Sequence, residues 1–163
     1  MRVHDQVMKP SQSFQSRKVG IVDVKLGVGT TIVEPSNLYG CTIGDRSFIG
    51  PFVEIQSAAH IGKDCRIQSH SFICSQVKIG DHCFVGHGVT FTNDLIKDGL
   101  PSPNAKDWLP TIIEEQVSIG SGSTILPVRI VGGCVIGAGS VVTKALTIKG
   151  VYAGNPVRLL RRL

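Results

Sequence analysis

The sequence predicts an all-β chain wound into a triangular coil. Three observations predict it: an aliphatic residue every six positions, a small or β-branched residue four places after each, and recurrence of the whole pattern every eighteen. Ile43, Ile49, Ile55, Ile61, Ile67, Ile73, Ile79 and Val85 keep one frame, and Phe91 continues it. Ser47, Val53, Ala59, Cys65, Ser71, Val77, Cys83 and Val89 form the companion series. A period of six keeps no single helical face inward. It suits a short strand and a turn, with two inward side chains per repeat. Ile43-Gly44-Asp45, Ile61-Gly62-Lys63 and Ile79-Gly80-Asp81 recur every eighteen residues, so three repeats make one coil. Stacked coils bury their aliphatic ladders and pair their backbones in parallel.

The frame extends both ways. Leu26, Ile32 and Leu38 hold it upstream, with a one-residue deletion before Ile43. Ile113, Ile119 and Ile125 hold it downstream; one residue is missing after Pro127, and Ile130, Ile136 and Val142 follow. The repeat domain is therefore placed at residues 19–149. Residues 1–18 are polar and show no repeat, which predicts a loosely held arm. In residues 150–163, Val157, Leu160 and Leu163 stand among Arg158, Arg161 and Arg162, which predicts a basic cap of one or two helical turns. Residues 93–111 break the rhythm. They hold Pro101, Pro103, Pro110 and the single tryptophan, Trp108, a composition that predicts a loop docking against something rather than a merely tolerated insertion.

Composition narrows the function classes. The chain has 163 residues, 19 glycines, 6% aromatics and a formal charge of +5. The surplus suits anionic small molecules. No basic stripe interleaved with aromatics is visible, so no nucleic-acid partner is expected. The five cysteines form no CxxC pair. Cys65 and Cys83 fall on the inward ladder and read as core filler. "MRVHDQVMKPSQSFQSRK" has no apolar signal core, and no apolar run reaches a membrane span. A cytoplasmic protein without a membrane partner is the expectation.

"IGDRSFIGPFVEIQ", "IGSGSTIL", "VIGAGSVVTK" and "VYAGNPVR" resemble the hexapeptide-repeat acyltransferases. The resemblance covers residues 20–160. It implies a left-handed parallel β-helix, a homotrimer with active sites between subunits, and acetyl-CoA as acyl donor. "GHGVTFTND" and "EPSNLYGCTIGDRSFIGPFVEIQ" resemble one branch of that family, the N-acetyltransferases of nucleotide-linked 3-amino sugars. That likeness implies a dTDP- or UDP-linked acceptor used for surface polysaccharide. Many family members carry a catalytic histidine where this chain has Asn93.

The departure is chemically informative. An alcohol needs a base to attack a thioester, whereas an amine with a pKa of about 7.7–8.0 is partly neutral and already nucleophilic. The departing thiolate, with a pKa of about 8.5, can take the proton. Asn93 then suffices to orient the amine or the oxyanion, which argues for N-acylation. His87 is the alternative base, and an O-acetyltransferase using it is the competing activity. His70, Glu54 and Asp94 are the substrate-binding candidates; His60 and His82 read as solvated turn residues. Small side chains at Gly120, Ser121, Ala138 and Gly139 would let a pantetheine arm lie along the coils, with Lys144 and Arg158 meeting the phosphates of coenzyme A. A zinc hydratase resembling the γ-type carbonic anhydrases is disfavoured: five residues after the "VGH" histidine, His87, stands Thr92, so no metal is expected. A noncatalytic assembly β-helix is the remaining class, which the expected donor groove argues against.

Overall fold

The structure, a computed structural model, describes residues 20–96 and 99–163. The predicted arm at 1–18 lies outside the described residues.

The chain winds into a parallel β-solenoid with three faces. The first face stacks Ile21–Val22, Asn37–Tyr39, Glu54–Ile55, Phe72–Ile73, Thr90–Phe91, Thr124–Ile125 and Val141–Val142. The second stacks Lys25–Leu26, Thr42–Ile43, His60–Ile61, Val77–Ile79, Thr111–Ile113 and Arg129–Ile130. The third runs from Thr31–Ile32 through Phe48–Ile49, Arg66–Ile67, Phe84–Val85, Ser118–Ile119 and Val135–Ile136 to Gly150–Gly154 and Val157–Arg162. Most strands are two residues long because each contributes one outward and one inward side chain before the chain turns. In the regular coils the strand partner lies eighteen residues on, as in Phe48↔Arg66 and Glu54↔Phe72. The upstream deletion shortens the first coil to seventeen, as in Thr31↔Phe48.

The core is a set of vertical ladders. Leu38, Ile55, Ile73, Phe91 and Ile125 line the first face inside; Ile43, Ile61, Ile79, Ile113 and Ile130 line the second; Ile49, Ile67, Val85, Ile119 and Ile136 line the third. All are buried. Ser47, Cys65, Cys83, Val117 and Cys134 fill one corner of the interior, as the companion series predicts. The Cys65 Sγ donates to the Gly80 carbonyl and the Cys83 Sγ to the Glu114 carbonyl, each at 3.1 Å. These thiols serve as small core donors that satisfy backbone acceptors at the turns.

The three corners differ. Between the second and third faces the turns carry charge: Arg46 makes two 2.7 Å bonds to Asp64, and Lys63 lies 3.6 Å from Asp81 one coil along. The Arg46 guanidinium holds the Asp64 carboxyl below the usual range. Glycines inside this corner permit close stacking; a Cβ on Gly62 would stand 2.6 Å from the backbone of Gly80. The corner between the third and first faces is nearly free of charge and ends in bare glycines. The corner between the first and second carries the long loop.

Two expectations need correcting. The C-terminal cap is not helical. Val157–Arg162 turns back antiparallel on Gly150–Gly154, pairing Ala153 with Arg158 and Val151 with Arg161. Leu159 packs where a Gly150 side chain would be, so the strand closes the last coil. His60, read as a turn residue, instead sits on a strand of the second face, exposed. His82 is on a turn, as expected, 3.9 Å from Asp64.

Because each coil touches only its neighbours, a void in mid-stack is felt by two interfaces. Ile67 is 0% exposed with coils on both sides. Ile67→Ala is expected to cost about 2–5 kcal/mol, and the outward Lys78→Ala less than about 0.5 kcal/mol, read from urea unfolding midpoints.

Candidate active site

The extended loop starts and ends at one corner. After Thr90–Phe91 the chain leaves the coil at Asn93 and re-enters at Thr111–Ile113. The Leu109 N–H donates to the Asn93 carbonyl at 2.7 Å and ties the two ends together. Asp94 organises what lies between. One carboxylate oxygen accepts the Ile96 N–H at 2.8 Å and the other the Ser102 N–H at 2.6 Å. These two backbone donors hold its carboxyl below the usual range. Ser102 in turn donates to Asp107 at 2.7 Å, beside a single 3-10 turn at Ala105–Asp107. Gln76, on the coil below, donates to the Ala105 carbonyl at 3.2 Å and pins the loop to the solenoid. A cavity of about 600 Å³ lies within the loop, lined by Asp94, Leu100, Pro101, Lys106 and Leu109 among others.

Asn93 is half-buried at the loop's root. Its amide nitrogen lies 3.5 Å from the Ser75 carbonyl, eighteen residues back and one coil below. Ser75 is itself coupled to Gln56 of the coil beneath: the Gln56 side-chain oxygen accepts the Ser75 N–H at 3.3 Å. The Gln56 amide nitrogen donates to Glu54 at 3.2 Å. A chain of polar groups therefore runs from Glu54, outward on the first face, to Asn93 at its edge. With the nitrogen facing Ser75, the Asn93 oxygen is the atom free to accept from a substrate.

His87 stands at the opposite edge of the same face, on the glycine corner. Its Nδ1 shares a 2.8 Å hydrogen bond with the Ser69 hydroxyl one coil below, and its N–H donates to the Ser121 hydroxyl one coil above at 3.1 Å. The ring is exposed, with Nε2 left for other partners. Six residues of extended chain separate Asn93 from His87, roughly 15–20 Å. Within one chain the two side chains cannot touch the same reacting atom.

The remaining candidates divide between these corners. Ser121, Ala138 and Gly139 continue the His87 column toward the C-terminal end, and Gly88, Gly122 and Gly139 each face open space. Gly120 is different: a side chain there would run into the Ala138 backbone, so coil stacking already accounts for it. Arg158 pairs with Ala153 just beyond Gly137, near the C-terminal end of the glycine corner. Lys144 lies at the loop corner instead, lining a groove of about 460 Å³ with Pro110, Ile112, Pro127 and Arg129. His70 lies on the glycine corner two residues before Phe72, the register partner of Glu54, its ring stacked on Phe52 with centroids 4.9 Å apart. Motif reading missed Ser69, Ser75, Gln56 and Phe52. Their signal was the coil length: Ser69 and His87, Phe52 and His70, and Ser75 and Asn93 are each eighteen residues apart.

Comparisons with known proteins fit this geometry. The model of the bacterial transferase hexapeptide (six repeats) matches residues 40–75 and 58–93. The hexapeptide repeat of succinyl-transferase matches residues 110–144. The matched segments cover more than half of the chain and part where the loop interrupts the coil. Among curated relatives, the bifunctional protein GlmU of Thermotoga sp. (strain RQ2) is 33% identical over 149 residues, covering 86% of this chain and 33% of that protein. GlmU of Streptococcus uberis is 27% identical, covering 86% and 32%. The chain thus spans about a third of the length of the curated relatives it matches. Among solved structures, the hexapeptide-repeat acetyltransferase VCA0836 of Vibrio cholerae, complexed with acetyl coenzyme A, superposes with TM-score 0.65 at 25% identity, covering 76% of this chain and 71% of that one. A variant of AntD, an N-acyltransferase from Bacillus cereus in complex with dTDP and coenzyme A, superposes with TM-score 0.60 at 21% identity, covering 86% and 84%. With its uninterrupted ladders, its matched repeats and its single loop, the chain belongs to the hexapeptide-repeat bacterial transferases.

Proposed function

We propose that this chain is an acetyl-CoA-dependent N-acetyltransferase acting on the amine of a nucleotide-linked amino sugar, in the class of dTDP- or UDP-linked 3-amino sugars used for surface polysaccharide. The carrying observation is Asn93: a neutral amide, at the root of an ordered loop, with its nitrogen turned to Ser75 and its oxygen free. Such an oxygen accepts an N–H from a neutral amine and directs the nitrogen lone pair toward a thioester. It offers no base, and an amine needs none, while the amide hydrogen not given to Ser75 remains a donor for the oxyanion. The amine nitrogen bonds to the thioester carbonyl carbon, the tetrahedral centre collapses with cleavage of the C–S bond, and the coenzyme A thiolate takes the proton the amine loses.

The open column at Ser121, Gly122, Ala138 and Gly139 suits an extended pantetheine arm, with Arg158 placed for a phosphate. Lys144 sits too far around the coil to share that role within one chain, and we assign it to the loop corner. The separation of His87 from Asn93 fits a homotrimer, in which the corner of one subunit completes the site of the next. VCA0836 bound to acetyl coenzyme A and AntD bound to dTDP and coenzyme A support the substrate classes. The competing O-acetyl reading rests on the Ser69–His87 bond, which fixes the imidazole and leaves Nε2 outward.

Thiol release from acetyl-CoA, followed with nucleotide-linked amino sugars beside sugar alcohols, separates the two. Asn93→Ala is expected to lower kcat/KM for the amino sugar by about a hundredfold, and His87→Ala by less than about tenfold. Turnover of alcohols alone, lost in His87→Ala, would reverse the assignment.

The Asp94 latch makes a second expectation. Its carboxyl is depressed in the folded state, so its hold on the loop is present above the unfolded value of about 3.9 and is lost as pH falls through the lower folded value. Trp108 is the only tryptophan and lies in this loop. Asp94→Ala at neutral pH should reproduce the Trp108 emission of the wild type in acid and raise acceptor KM more than it lowers kcat. Emission unchanged in both cases would dissociate Asp94 from loop order.

A further inference from the structure

Phe52 is an aromatic side chain left 57% exposed on the glycine corner. One face of its ring is covered by the His70 imidazole, with an interplanar angle of 29°. Its other side borders a cavity of about 230 Å³ lined by Pro35, Ser36, Asn37, Val53 and Glu54 as well. Asn37 and Glu54 are register partners on adjacent strands of the first face, so two polar side chains stand side by side at the cavity's edge. One Glu54 oxygen accepts from Gln56 at 3.2 Å, and the Tyr39 hydroxyl neighbours the same carboxylate. Pro35 and Val53 supply apolar wall, and the Ser36 hydroxyl is turned to the Val33 and Gly50 carbonyls.

This is the chemistry that recognises a small planar ring with a polar edge. An aromatic face, backed by a second ring, stacks the plane. A carboxylate beside an amide reads the edge: the carboxylate accepts a ring N–H, and the amide donates to a ring carbonyl. We propose that the cavity is the subsite for a pyrimidine base carried by a nucleoside diphosphate, with Phe52 as its stacking floor and Glu54 and Asn37 as its edge readers. The inference rests on the acceptor reading above and deepens it by giving the nucleotide an address. The Phe52 turn lies two coils from Gly88 and its neighbour His87 along one corner, about 10 Å. A base held here extends its pyrophosphate and sugar up the first face, toward the level of His87 and Asn93. Coenzyme A also carries a base and a pyrophosphate. Its adenine is a different source of the same chemistry, placed by Arg158 at the far end of the corner.

Calorimetric titration of the full chain with UDP, dTDP and coenzyme A distinguishes the two. Phe52→Ala is expected to weaken UDP and dTDP about tenfold and to leave coenzyme A within twofold. Phe52→Trp should retain nucleotide binding, which controls for loss of fold. Glu54→Gln should narrow the preference for UDP over CDP. Failure of UDP and dTDP to bind the wild type overturns the subsite, as does loss of coenzyme A binding alone in Phe52→Ala. A fall in sedimentation coefficient in Phe52→Ala with nucleotide affinity unchanged would assign the ring to a second copy of the chain and also overturn it. Pyrimidine nucleotides binding as described while no amine is acetylated would leave the subsite standing and remove the proposed reaction.

Discussion

Everything in this molecule depends on the parallel stacking of coils that cannot bury their own interior. A six-residue repeat has two inward side chains, and one coil of three repeats has too few to form a core. Only when Ile43, Ile61 and Ile79 stack, and likewise their counterparts on the other faces, does each side chain lose its water. The same stacking satisfies the backbone: Gly44, Gly62 and Gly80 each donate to a carbonyl one coil along. Hydrophobic burial and hydrogen bonding thus impose the same repeat, and neither tolerates slippage of register.

The strictness of the interior frees the exterior. Because every coil has three turns at fixed places, the outward residues form columns, and each column can take a different task at no cost to the core. One corner spends its turns on ion pairs such as Arg46–Asp64. Another changes along its length from the rings of Phe52 and His70 to the bare Gly88, Gly122 and Gly139. The third opens into a loop that is held by Asp94, Gln76 and the Asn93–Leu109 neck. The first face lies between the latter two corners, and the candidate catalytic and binding groups border it.

The ladders were legible in the sequence because burial follows a period, and the period survives the deletions before Ile43 and after Pro127. The loop was legible as a break in that period. The cap was not. Val157, Leu160 and Leu163 have helical spacing, but the last parallel strand offers an unpaired edge, and Val157–Arg162 gains more by pairing with it and placing Leu159 over Gly150 than by forming two helical turns. The separation of His87 from Asn93 follows from counting repeats around a coil. The roles of Ser69, Ser75 and Gln56 were hidden because their partners are one coil away, and no local motif spans that distance.

The returning C-terminal strand has a consequence for the size of the particle. A parallel solenoid has no intrinsic last coil; each new turn presents the same edge that the previous one did, which is the growth rule of a fibre. Reversing direction at Asn155-Pro156 replaces that edge with an antiparallel one bearing Arg158, Arg161 and Arg162. Like charges then face each other when two copies approach by this same end, and the cationic strand leaves no bare parallel edge for any other approach. The repeat sets how the chain winds, and the reversed strand occupies the edge on which a further coil would stack.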